Sequence, residues 1–89
     1  MQIINPATEE IITSLVEDNS STLQIKFDTL KKAQPQWTSK PLQERISVIA
    51  KFSDLLDAEI EELASVLTSE VGKPLQQSRN EINGARGRI

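Results

Sequence analysis

The residues able to do chemistry in this chain fall into a few short groups. Glu59, Glu61 and Glu62 crowd one stretch. Carboxylates that share acid–base work on a glycosidic bond face each other across a cleft, whereas neighbours in one exposed turn stay ionised and solvated. These three therefore read as the acidic start of a helix. Ser20 and Ser21 stand side by side, but no histidine exists to activate a hydroxyl, so helix capping is the reading they support. Gly84-Ala85-Arg86-Gly87-Arg88 has the composition of a phosphate loop without its G-x-G-x-x-G spacing. A helical pattern, not a strand, precedes it. Arg79 and Arg86 are seven apart and share a helix face with Arg88 near, which suits a small anion patch or a solvated or subunit-facing side. Lys73, between Gly72 and Pro74, is a charge on a rigid connector.

Composition narrows the chemistry further. There is no cysteine and no histidine, which removes the thiolate nucleophile, the disulfide, the commonest metal ligand and the usual neutral-pH base. Lys plus Arg number 10 against 13 Asp plus Glu, a formal charge of -3, so no electrostatic case for nucleic acid exists. No apolar run approaches the ~20 residues of a spanning helix. Met1-Gln2-Ile3-Ile4 lacks the basic and apolar regions of a signal peptide, so the expected compartment is cytoplasmic. At 89 residues the chain allows one small domain. A core of that size rarely supplies more than about 3–5 kcal/mol without staples, and none is available here.

The elements that would position these groups are mostly helical, with a short N-terminal β-hairpin. Residues 2–16 read as the hairpin, with Asn5-Pro6-Ala7-Thr8-Glu9-Glu10 as its turn-rich stretch, since Pro6 cannot continue a ladder. A polar linker ends in cap candidates at Ser20 and Ser21. A helix over 22–36 follows, with Leu23, Phe27, Leu30 and Ala33 on its stripe and Asp28 placed to pair with Lys32. Pro35 is expected to end it. Trp37 then reads as a buried packing plug, with a ligand or partner contact as the alternative. The centre of the chain is a helical pair. Leu42, Ile46, Ile49, Phe52, Leu55 and Leu56 stripe a helix over 41–56, and Ile60, Leu63, Val66, Leu67 and Val71 stripe another over 58–71. Asp57 is the expected break and cap. Gly72 suits the left-handed position after a helix, and Pro74 can open the next one, over 74–89. That last stripe is weak and holds Gly84 and Gly87. Its arrival at Ile89 without a cap is expected of an interrupted helix.

Several of these segments, taken in order, resemble one family. Ile4-Asn5-Pro6-Ala7-Thr8-Glu9-Glu10-Ile11-Ile12 is similar to the opening of the aldehyde dehydrogenase superfamily. Ala33-Gln34-Pro35-Gln36-Trp37, Glu44-Arg45, Leu55-Leu56 and Glu61-Glu62-Leu63-Ala64 follow its pattern. Glu70-Val71-Gly72-Lys73-Pro74-Leu75, with Arg79 and Glu81-Ile82, carries the most specific part. Gln76-Gln77-Ser78-Arg79 adds a resemblance to the succinate-semialdehyde dehydrogenase branch. The resemblance implies NAD(P)-dependent oxidation of an aldehyde through a cysteine thiolate, in enzymes that assemble as dimers or tetramers. It places this segment at the periphery of a Rossmann-like cofactor-binding domain. The family's nucleophile, general base and cofactor lysine lie beyond the segment, so no catalytic, cofactor-binding or metal-ligating residue is assigned here. Asn80, Asn83, Lys73 and Glu70 match scaffold positions. The expected partner is the remainder of a dehydrogenase chain or a second copy meeting it through apolar faces, with NAD or NADP bound by the parent only. A small helical protein–protein interaction module is the alternative.

Overall fold

The structure, a computed structural model, describes every residue from Met1 to Ile89. It is mostly helical behind a two-stranded hairpin. β1 (Gln2–Ile4) and β2 (Ile11–Ser14) are antiparallel, with Ile3 opposite Thr13 and an irregularity before Ile4 pairs with Ile11. The turn is tied by Asn5, whose side chain accepts from the Ala7 N–H at 2.9 Å and whose carbonyl accepts from Glu9 at 2.8 Å. Glu9 takes a left-handed φ of 62° to close it.

α1 (Ser20–Ser39) begins earlier and ends later than the sequence pattern suggests. Its cap is Asn19, not Ser20 or Ser21. The Asn19 side chain accepts from the Ser21 and Thr22 N–H groups at 2.9 and 3.1 Å, and Thr22 Oγ1 accepts from the Asn19 N–H at 2.9 Å. Two reciprocal bonds are more than a lone serine hydroxyl can make. Pro35 lies inside α1 and does not stop it. Its missing N–H orphans only the Lys31 carbonyl, and α1 buries no residue, so water can serve that group. The Ser39 hydroxyl donates to the Gln36 carbonyl at 2.9 Å and supports the final turn. The Asp28–Lys32 pair does not form; Asp28 accepts from Gln24 Nε2 at 3.0 Å instead.

α2 (Leu42–Ala58) starts at Pro41, whose carbonyl accepts from Glu44 and Arg45 at 3.0 and 3.2 Å. It runs through Asp57. The break falls at Glu59, where φ is -102° and ψ 13°, although its N–H still reaches the Leu55 carbonyl at 3.0 Å. Asp57 is not the cap because it lies inside α2, two residues before the break, and its carboxylate pairs with Arg86. α3 (Ile60–Val71) ends at Gly72, with a left-handed φ of 71°. α4 (Leu75–Arg86) returns against α3, and Gly87 to Ile89 leave the helix as turns.

The α3–α4 seam is the core. Ala64 and Ser78 are the two fully buried residues, and both are small enough to let the helices approach closely. The Ser78 hydroxyl is satisfied by Thr68 Oγ1 at 2.8 Å. Pro6 of the hairpin sits over Gly72, where an added Cβ would lie 2.7 Å from its Cγ. The rest is spread out. The chain exposes 7160 Å², against about 5,200 Å² for a compact protein of its mass. Its radius of gyration is 17.2 Å where about 12 Å is usual, and its extents are 48 × 35 × 16 Å. The helices leave most of their large apolar side chains exposed.

Candidate functional site

The acidic and basic groups singled out in the sequence are spent on one another. Glu61 accepts two parallel bonds from Arg79, Nε at 2.8 Å and Nη2 at 2.7 Å. That guanidinium holds the Glu61 carboxyl below the ordinary glutamate value, and the carboxylate in turn raises Arg79. A carboxylate held ionised in this way is a poor general base. Arg86 pairs with Asp57 and donates to Asn83 Oδ1 at 3.1 Å. Lys73 pairs with Glu81 and is half-buried, not a free charge on a loop. The anion patch proposed for Arg79, Arg86 and Arg88 is therefore not assembled, because two of its members join α4 to α3 and α2.

The glycine-rich tail is not a phosphate cradle either. Gly84 lies inside α4, and Gly87 has a right-handed φ of -66°. Ser20 and Ser21 stand in the first turn of α1, exposed, with no base beside them. No group of three His, Cys, Asp or Glu side chains is placed to hold a metal ion.

What the fold does build is an open hollow of about 580 Å³ along α2. Trp37 forms one wall, Ile46 and Ile49 another, and Arg45, Asp54 and Ile89 its rim. Trp37 is 38% exposed, so it is a wall and not a buried plug. Arg45 was visible in the sequence only as part of Glu44-Arg45. In the fold it is half-buried, makes no ion pair, and its Nε has no hydrogen-bond partner. An arginine set inside an apolar stripe was the available signal. Along α2, Leu42, Ile46, Ile49, Phe52 and Leu55 are 46–63% exposed, and on α1 Leu23, Phe27 and Leu30 are 56–71% exposed. No helix is long and apolar enough to cross a membrane.

The chain belongs to the aldehyde dehydrogenase family, whose model matches residues 1–89. The glutarate-semialdehyde dehydrogenase of Pseudomonas aeruginosa is 32% identical over 82 residues, covering 92% of this chain and 17% of that protein. The 5-carboxymethyl-2-hydroxymuconate semialdehyde dehydrogenase of Escherichia coli is 30% identical over 76 residues, covering 85% and 16%. A crystal structure of glyceraldehyde-3-phosphate dehydrogenase GapN from Methanocaldococcus jannaschii, complexed with NADP, superposes with a TM-score of 0.92 at 26% identity, covering 98% of this chain and 19% of that one. The chain thus spans about a sixth of the length of the curated relatives it matches.

Proposed function

We propose that these 89 residues are the amino-terminal scaffold of a cytoplasmic, NAD(P)-dependent aldehyde dehydrogenase. The parent oxidises an acid-bearing semialdehyde, succinate semialdehyde among the candidates, to the carboxylic acid. The observation that carries this is the uncovered apolar face on a chain whose whole length matches one family. Stripes on α1 and α2 that stay half exposed need a second layer to cover them. The semialdehyde assignment rests on the relatives, which include enzymes named for glutarate semialdehyde and N-succinylglutamate 5-semialdehyde.

The nicotinamide cofactor would supply the hydride acceptor, but the residues present do not fit it. A dinucleotide site needs a glycine turn between a strand and a helix N-terminus. Here both strands belong to the hairpin, and Gly84 and Gly87 lie at the far end of α4. A thiolate step is equally outside this composition. The role of the segment is to position, and its own residues hold its helices in register.

The test is the intact mass of the natural product in its source cells. A longer polypeptide carrying these residues, with aldehyde-dependent reduction of NAD or NADP, is the expected result. A 9.9 kDa product as the only species overturns it and favours a small helical interaction module. On the parent, kcat/KM across a series of semialdehydes is expected to be highest for one bearing a carboxylate.

A further inference from the structure

We propose that Asn83-Gly84, near the end of α4, is a site of spontaneous deamidation whose rate is set by the Asp57–Arg86 tie, which makes it a slow covalent switch on the packing of α4 against α2. The reaction needs only this chain and water, and does not rest on the dehydrogenase reading.

The chain has four asparagines, and only Asn83 precedes glycine. Asn5 precedes Pro6, whose nitrogen has no hydrogen to lose, and Asn19 and Asn80 precede residues whose Cβ crowds the attack. At Asn83 the Gly84 backbone nitrogen, once hydroxide takes its proton, attacks the side-chain carbonyl carbon. A C–N bond forms, the bond to the amide nitrogen breaks, and ammonia leaves with a proton from water. Water then opens the cyclic imide at either carbonyl and gives aspartate or isoaspartate. Nothing is oxidised or reduced.

A helix opposes this step. The Gly84 N–H is directed along the axis at the carbonyl four residues back, and a helical ψ at Asn83 keeps that nitrogen out of line with the side-chain carbonyl. The reaction therefore waits for the end of α4 to open. Gly84 favours opening, since it lies inside α4 with nothing within 4 Å of where a Cβ would stand. Arg86 opposes it, because it pairs with Asp57 of α2 and donates to Asn83 Oδ1 at 3.1 Å. That one guanidinium holds both the reacting side chain and the end of α4. Asn83 and Gly84 are exposed, so water meets them as soon as the turn opens. The product alters the same contact. A carboxylate at position 83 competes with Asp57 for Arg86, whose Nε is buried without a partner and is a donor to spare. Isoaspartate also inserts a backbone methylene, which breaks the helical ladder. Either product loosens α4 from α2.

The experiment ages the natural polypeptide carrying these residues at mildly alkaline pH and follows its tryptic peptide Asn80–Arg86 by mass spectrometry. The peptide holds Asn80 as an internal reference. A gain of one mass unit at Asn83 and not at Asn80 is expected, with isoaspartate confirmed by enzymatic methyl transfer. The urea-unfolded chain should convert faster, which measures the protection that α4 gives. Asp57→Asn should speed conversion of the folded chain by about 2- to 5-fold, the change in opening that loss of a partly exposed ion pair produces, and Asp57→Glu should restore most of the protection. Gly84→Ala should slow conversion by at least about fivefold through helix propensity alone. Asn19→Ala, which loosens only the start of α1, should leave the rate unchanged and so separates local from global opening. No conversion of the folded chain over an interval that converts the unfolded one, an unchanged rate in Asp57→Asn, or equal acceleration by Asn19→Ala overturns the proposal.

Discussion

Among single residues, Gly72 and Gly84 show that one residue type can carry opposite instructions. Gly72 has a φ of 71°, and a Cβ there would meet Pro6 Cγ at 2.7 Å. Gly72→Ala is therefore penalised twice, by the left-handed backbone at about 1–2 kcal/mol and by displacement of the hairpin. Gly84 is helical and a Cβ there meets nothing within 4 Å, so Gly84→Ala should stabilise by roughly 0.5–1 kcal/mol. Urea unfolding of the two variants should move in opposite directions. The Glu61–Arg79 pair makes a pH prediction. Glu61 is held below its ordinary value of 4.5, so its contribution is present above that pH and disappears as pH falls through the lowered value. Arg79 is raised from a value already far above neutrality and adds no window in the working range. Thermal melts should lose stability on acidification below about pH 4.5, and Glu61→Gln should begin lower and show a flatter slope there. The left-handed turn at Gly72 was legible from Gly-Lys-Pro alone. The partners of Glu61 and Asp57 were not, because Arg79 is 18 residues from Glu61 and no local rule links them.

Elements were legible where periodicity was strong and less so where one residue had to decide a boundary. The helical stripes on α2 and α3 are plain in the sequence. Asn19, Pro35 and Asp57 were each misjudged for a physical reason. A proline rule assumes that the orphaned carbonyl and the ring clash end a helix, yet α1 is wet on every side and continues to Ser39. A cap rule that prefers Ser or Asp near a break ignores competition. At α1 the reciprocal Asn19–Thr22 bonds win, and α2 runs on through Asp57 so that the break falls at Glu59. The capping box gives a direct check. Asn19→Ala should cost about 1 kcal/mol and fray the start of α1, since two N–H groups lose their acceptor. Ser20→Ala and Ser21→Ala should change helix content little. The measurement is circular dichroism with urea titration, and equal losses at Asn19 and Ser21 would reassign the cap.

Across the whole molecule, the sequence announced helices and a hairpin but could not announce that they fail to enclose a core. Leu42, Ile49, Phe52 and Leu55 look the same in a one-dimensional pattern whether their partner is within the chain or outside it. The fold decides, by leaving them half exposed while only Ala64 and Ser78 are sealed. Stability should then be uneven. The α3–α4 seam carries the buried hydroxyl pair, the Glu61–Arg79 bonds and the Lys73–Glu81 pair. α1 buries no residue, and β2 is exposed along its whole length. Local opening follows buried contact, so hydrogen exchange should map this gradient. Amides from Leu67 to Val71 and from Ser78 to Ile82 should exchange slowest. Amides from Leu23 to Trp37 and those of the hairpin should exchange fastest, with α2 between. Uniform protection across all four helices would mean that the chain unfolds as one unit, and the α3–α4 seam would not be its centre of stability.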